Sequence, residues 1–183
     1  MGRVTLPFHR LGERHPGVTA AIGDGYTEAA RVCLDRHHVS PIEIVIRRQR
    51  NSEPETREVI AEWQETTQRE WHAWGNATDA TEAGAYGFAL AAVELEGLVA
   101  VRRAETGTGA DYYISPPGIP TDDLEDCVRL EVSGVDRGDE RLVHLRLRQK
   151  VQQALSGSSS LPAIAAVVGF RSRIVALDRA EEA

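Results

Sequence analysis

The spacing of apolar and polar positions changes character several times along the chain. Residues 1–25 are rich in Gly, Pro, His and Arg and carry no period, which predicts a loose arm or loop. Over 26–36, Ala29, Ala30, Cys33 and Leu34 recur at helical spacing and predict a short helix, broken beyond His37 and His38 by Ser40-Pro41. At 42–48 the period falls to two, with Ile42, Ile44 and Ile46 on one side, the mark of a half-buried strand. A polar turn containing Pro54 follows over 49–55. From Glu55 to Trp74 the residues are charged and helix-favouring. Val59, Ile60, Trp63, Thr67, Glu70 and Trp74 make a ragged stripe there, so a helix is expected. The clearest helix is Thr78 to Leu95. Asp79 with Glu82 three residues on fits a capping box, and Ala83, Tyr86, Ala89, Leu90 and Val93 form an apolar face. Its many small residues imply close packing against a sheet.

After Gly97 the pattern predicts strands at 98–102, 110–114 and 127–135, separated by the turn ETGTG and the long loop SPPGIPTDD. Residues 141–155 predict a second amphipathic helix, with Val143, Leu147, Val151 and Ala154 on one face. Beyond the GSSS turn, the nearly all-apolar run 161–170 reads as a fully buried central strand, and 174–177 as a last short one. The order helix, strand, strand, strand, helix, strand follows a helix–strand–helix block. It predicts an α/β fold with a mixed central sheet flanked by helices. Residues 1–75 are expected to form an N-terminal extension packed on a core of residues 76–183, the two making one folded unit.

The 183 residues, 42% of them hydrophobic, suit one globular domain. No apolar run approaches the roughly 20 residues that span a bilayer. Met1 to Arg10 lacks the apolar stretch of a secretory signal, so a cytoplasmic protein without a membrane partner is expected. Cys33 and Cys127 belong to no CxxC pair and are expected to be plain buried or half-buried thiols. The net charge of -7 lacks the basic excess of a free-standing nucleic-acid binder. Basic residues nevertheless cluster at Arg47, Arg48 and Arg50, at Arg102 and Arg103, and between Arg141 and Lys150. Such stripes are either solvated, salt-bridged faces or local phosphate contacts.

Candidate chemistry centres on two carboxylates. On strands, Asp111 and Tyr113 share a face opposite Ala110, Tyr112 and Ile114, and Glu131 and Ser133 share a face opposite Leu130 and Val132. If those strands pair in register, Asp111 and Glu131 converge and can hold a hard divalent ion, Mg²⁺ or Mn²⁺. Mg²⁺ takes one or two carboxylates and keeps waters, leaving positions for phosphate oxygens. Each acid also has a plainer reading: Asp111 as a turn residue, Glu131 as a solvated strand residue, Glu82 as a helix cap. His37 and His38 have no matching Cys or His cluster at zinc-ligand spacing. Tyr112, Tyr113, Trp63, Trp71 and Trp74 read as core or partner-contact residues, with base stacking a minor option. The GTG of the ETGTG turn is too short for a phosphate loop and precedes no helix.

With this element order, the three acids resemble the PD-(D/E)xK nuclease superfamily over roughly residues 78–177. The resemblance implies a restriction-endonuclease-like core of helix, three-stranded meander, helix and strand. It also implies a metal held by Asp111 and Glu131, and Glu82 as the extra acidic residue of the first helix. The family's lysine falls at position 133, where this chain has Ser133. Some members carry that lysine on the following helix, and Lys150 is the matching residue, with Gln149 or Gln153 able to add a hydrogen bond. The catalytic set so implied is Glu82, Asp111, Glu131 and Lys150. The implied activity is Mg²⁺-dependent hydrolysis of DNA or RNA, in a setting such as bacterial genome conflict or defence, with a protein partner or a homodimer. The alternative is a catalytically inactive scaffold subunit on the same fold. A weaker third reading is an immunity partner whose acidic surface mimics nucleic acid.

Overall fold

A computed structural model describes residues 3–50, 53–120 and 122–180. Met1 and Gly2 of the expected arm, residues 51 and 52 of the expected polar turn and Thr121 of the proline-rich loop lie outside them. The chain runs α1 (Ala20–Asp35), β1 (Ile42–Arg50), β2 (Glu53–Ala61), α2 (Gln68–Ala73), α3 (Ala77–Glu94), β3 (Val99–Arg103), β4 (Tyr112–Ser115), β5 (Val128–Val135), α4 (Glu140–Leu155), β6 (Ala163–Gly169) and β7 (Ile174–Ala180). The strands form one mixed seven-stranded sheet in the order β2-β1-β7-β6-β5-β4-β3. The β1–β7 and β5–β6 pairs are parallel and the other four are antiparallel. Helices α1 and α3 cover one face and α4 the other. The protein is therefore an α/β fold with a mixed sheet flanked by helices.

The central strand β6 is Ala163–Gly169, buried at all seven positions. Its alternate side chains serve two cores. Ile164, Ala166 and Val168 pack with Leu130, Val132, Phe88 and Phe170 beneath α1 and α3. Ala165 and Val167 pack with Val143 and Leu147 of α4. A strand covered on both faces cannot alternate apolar with polar, which is why this segment reads as a continuous apolar run. The small residues of α3 also allow close packing against a helix: at Gly84 a Cβ would stand 2.9 Å from the Ala30 Cα of α1.

Four expectations need correction. Residues 3–19 are loop, as one of the two readings has it, but packed loop and no loose arm, and the helix begins earlier than 26. Leu6, Phe8 and Leu11 are fully buried, Val18 nearly so, and α1 starts at Ala20 behind an N-cap from Thr19. Leu6 N–H donates to Ile60 O, and Gly17 N–H donates to Ala100 O. Gly-, Pro- and His-rich composition here marks turns that line the sheet's edge strands rather than free chain. Second, residues 55–74 are not one helix. β2 pairs antiparallel with β1, Ile44 opposite Val59, and only Gln68–Ala73 is helical, opened by a Thr67–Glu70 capping box. Third, the cap of α3 is Asn76, whose side chain accepts from the N–H of Thr78 and Asp79, and not the Asp79–Glu82 box. The last strand is also longer than 174–177 and lies inside the sheet, between β1 and β6. Among the described residues no helix is long and apolar enough to cross a membrane.

Candidate active site

The chemistry-bearing residues meet at one end of β4 and β5. Along β5, Leu130 and Val132 face α3, so Arg129, Glu131, Ser133 and Val135 face α4. Glu131 is 4% exposed, yet its carboxylate borders a cavity of about 1140 Å³ whose lining also includes Glu82, Arg103, Asp111, Ser133 and Lys150. The site's second carboxylate comes from Asp111. It lies just before β4 rather than within it, so strand alternation does not aim its side chain. Its backbone N–H donates to Leu130 O at 2.7 Å, which ties it to β5. One carboxylate oxygen then accepts from the Val132 N–H at 2.8 Å and the other from the Tyr86 hydroxyl at 2.8 Å. Asp111 is thus clamped between β5 and the middle of α3.

The same close approach brings α3 to the site. Gly134 of β5 faces α3, and a Cβ there would stand 2.6 Å from the Thr81 carbonyl oxygen. Only glycine lets the first turns of the helix press onto the strand at that point. Glu82 follows Thr81. It is exposed, lines the cavity, and no hydrogen bond or ion pair holds it among the described residues. Ser133 lines the cavity beside Glu131 and offers a hydroxyl without a charge.

Positive charge arrives from two other elements. Lys150 of α4 donates from Nζ to Glu131 Oε1 at 2.8 Å and to Gln153 Oε1 at 2.9 Å. Gln153 therefore takes the assisting position considered for Gln149 or Gln153. Arg103, at the end of β3, places Nη2 3.0 Å from the Tyr86 hydroxyl and 3.5 Å from Asp111 Oδ1. Each carboxylate of the pair has its own cation. The electrostatics of Glu131 follow from this setting. Burial pushes its carboxyl above the usual range, the Lys150 hydrogen bond pulls it back, and the negative charge of Asp111 adds to the upward push. Burial also raises the Tyr86 phenol, which keeps it a donor to Asp111.

Hard oxygen donors on a cavity wall, one of them desolvated and within electrostatic reach of the other, fit Mg²⁺ or Mn²⁺ in kind and number. Among the described residues no three His, Cys, Asp or Glu side chains form a group that could hold a metal ion. An ion held by these two carboxylates would complete its shell from water.

Of the four residues picked from the sequence, Asp111, Glu131 and Lys150 come together and Glu82 stands at the cavity wall. The sequence reading missed Tyr86 and Arg103 as site residues. In the sequence Tyr86 reads as part of the apolar face of its helix, and Arg103 as one of a basic pair that is either a solvated, salt-bridged face or a local phosphate contact. No local pattern links them, since the helix and the strand end meet only in the folded chain. His37, His38, Arg47 and Arg48 have partners away from the two carboxylates. His37 Nε2 lies 2.9 Å from Asp136, and His38 Nε2 lies 2.9 Å from the Phe170 carbonyl oxygen. Arg47 and Arg48 pair with Glu140 and Glu96. Cys33 and Cys127 are free, buried thiols, and burial pushes Cys33 up to about 12. No family model, curated protein or solved structure matches the chain.

Proposed function

We propose that the chain is a Mg²⁺- or Mn²⁺-dependent phosphodiesterase acting on DNA or RNA, built on a restriction-endonuclease-like core. The observation that carries this reading is the convergence of Asp111, Glu131 and Lys150 on one cavity, with Lys150 Nζ 2.8 Å from the buried Glu131. The element order α3-β3-β4-β5-α4-β6, with Glu131 on β5 and Asp111 immediately ahead of β4, supports the same reading. Asp111 and Glu131 would hold the ion, which supplies Lewis acidity toward a phosphoryl oxygen and a more acidic water.

The chain's own groups do the rest. Val132 N–H and the Tyr86 hydroxyl fix Asp111, so that carboxylate need not reorganise when charge develops. Lys150 supplies the positive charge that Ser133 cannot, from α4 instead of β5. Glu82, free at the cavity wall, is placed to accept a proton through water. Cleavage of a nucleic acid with a local rather than global positive surface suits a chain that works with a protein partner or as a homodimer, as in a genome-defence system. The second reading, an inactive scaffold subunit, is favoured by one observation: each carboxylate already has a cation, so the site is neutralised without a metal.

Mg²⁺ and Mn²⁺ titration calorimetry on the wild type and on an Asp111→Ala/Glu131→Ala double variant separates the two. The nuclease reading expects binding by the wild type, loss of it in the variant, and metal-dependent cutting of single- or double-stranded substrate lowered at least about a hundredfold. A well-folded wild type that binds neither ion sinks the catalytic reading and leaves the scaffold.

A further inference from the structure

We propose that Arg103 grips a phosphate of the substrate strand next to the bond that Asp111 and Glu131 address, a role that rests on the nuclease reading above. Arg103 is set by an aromatic corner. Its Cζ lies 4.5 Å from the centre of the Tyr86 ring and 4.8 Å from that of Tyr112, and those rings meet edge-on, 6.0 Å apart. Tyr112 is itself held, its hydroxyl 2.7 Å from that of Tyr26 on α1. The guanidinium is therefore fixed by cation–π contact from two rings before any ligand arrives. Preorganisation of this kind lowers the entropy lost on binding.

Hydrogen bonding leaves the fork only partly used. Nη2 serves the Tyr86 hydroxyl and lies near Asp111, while Nη1 and Nε have no partner among the described residues. The side chain is 48% exposed and lines the same cavity as Asp111 and Glu131. A purely structural arginine would be closed off. Arg129, for instance, is 4% exposed, and its Nε and Nη1 donate to three backbone carbonyls. A planar, fixed, half-open guanidinium beside two carboxylates suits a bidentate anion on a ligand that also brings a cation to those carboxylates. A phosphodiester strand bound with a divalent ion meets both conditions. The ligand and the ion would then share out the charges. The ion takes the carboxylates that Arg103 and Lys150 now neutralise, and the two cations turn to phosphate oxygens.

The test is fluorescence anisotropy with a short fluorescein-labelled single-stranded DNA, with Ca²⁺ replacing Mg²⁺ to withhold cleavage. It is run over a salt series on the wild type, Arg103→Lys and Arg103→Gln, alongside Mg²⁺ titration of each DNA-free protein. Arg103→Gln should bind the DNA about tenfold more weakly and lower the slope of log affinity against log salt by about one, with Arg103→Lys keeping the slope. Its Mg²⁺ affinity should be kept or tightened, because a cation beside Asp111 has gone. Losing a prop of the site would instead weaken both. Wild-type DNA affinity and slope in Arg103→Gln overturn the proposal, as does a wild type that binds no DNA. A variant that loses Mg²⁺ binding together with DNA also overturns it, by making Arg103 a support for Asp111. A wild type that binds Mg²⁺ and cuts, with Arg103→Gln indifferent, leaves the nuclease reading standing and removes only this inference. A wild type without Mg²⁺ binding removes the nuclease reading, while its DNA titration still decides Arg103.

Discussion

Arg129 and Glu131 lie two residues apart on the same face of β5, both ionisable and both 4% exposed, yet their surroundings differ in kind. Arg129 is closed. Its Nε donates to Leu161 O at 3.0 Å, and its Nη1 donates to Thr108 O at 2.7 Å and Ala154 O at 2.9 Å. One side chain thereby ties the β3–β4 turn, the last turn of α4 and the approach to β6. Glu131 is open. Among the described residues Lys150 is the cation hydrogen-bonded to it, and the residue lines the cavity. Burial perturbs both groups, lowering the Arg129 guanidinium and raising the Glu131 carboxyl. A perturbed buried charge is therefore a poor marker of chemistry by itself. The better marker is a perturbed charge whose remaining lone pairs or protons face space a ligand can enter.

The sharpest way to break this comparison is to replace each cation by an apolar side chain of similar length. Arg129→Met leaves three carbonyls without their donor, so we expect a loss of about 3 kcal/mol or more of unfolding free energy. Chemical denaturation measures it, and a loss below about 1 kcal/mol would mean that the three bonds do not hold the fold.

Much of the sheet on the C-terminal side was legible because its local signals agree with its tertiary setting. Val128–Val135 alternates as a strand does, Ala163–Gly169 is apolar throughout because helices cover both faces, and Glu140–Leu155 carries a clean stripe. Lys150 follows from the resemblance alone, as the lysine of the helix after β5, and it comes within 2.8 Å of Glu131 because α4 packs back on that strand. Residues 55–74 misled because Arg57, Glu58 and Glu62 favour a helix, whereas Val59, Ala61 and Trp63, buried at every second position, obey the strand β1 needs as a partner. The deciding pairing lies with β1 and outside the segment itself. Asp111 was legible as an acid but not in its aim. A residue ahead of its strand takes its direction from Tyr86 and Val132, which are distant in sequence. Arg103 was hidden for the same reason.

Lys150→Met tests the open half of the comparison. It removes the cation beside Glu131, but that carboxyl can take up a proton or face cavity water, so a stability loss of about 1–2 kcal/mol is expected, smaller than for Arg129→Met. On the proposed nuclease reading, metal-dependent phosphodiester cleavage should fall about a hundredfold. The pair of variants thus separates the roles: Arg129→Met harms the fold first, and Lys150→Met harms turnover with the fold kept. Equal stability losses and intact turnover in Lys150→Met would show that both cations are structural.

The smallest effect expected is on the pH dependence of stability, and it reports on Glu131 directly. Its carboxyl sits above the ordinary value because of burial, with the Lys150 hydrogen bond opposing and Asp111 adding. A carboxyl that holds its proton more tightly folded than unfolded stabilises the fold below the unfolded value of about 4.3. That contribution disappears as pH rises through the folded value. Glu131→Gln cannot ionise. The stability of the wild type relative to Glu131→Gln should therefore fall as pH rises from the ordinary carboxylate range upward, and denaturation of both proteins across that range reads the difference. In Lys150→Met the fall should extend to higher pH, because the group that pulls the carboxyl down is gone. Saturating Mg²⁺ should flatten it, since an ion beside the carboxylate favours the ionised form at every pH in the window. A gap that stays level without the ion would mean that Glu131 ionises as freely as an exposed acid. Its desolvation, the feature that sets it apart from an ordinary strand glutamate, would then have no bearing on metal binding.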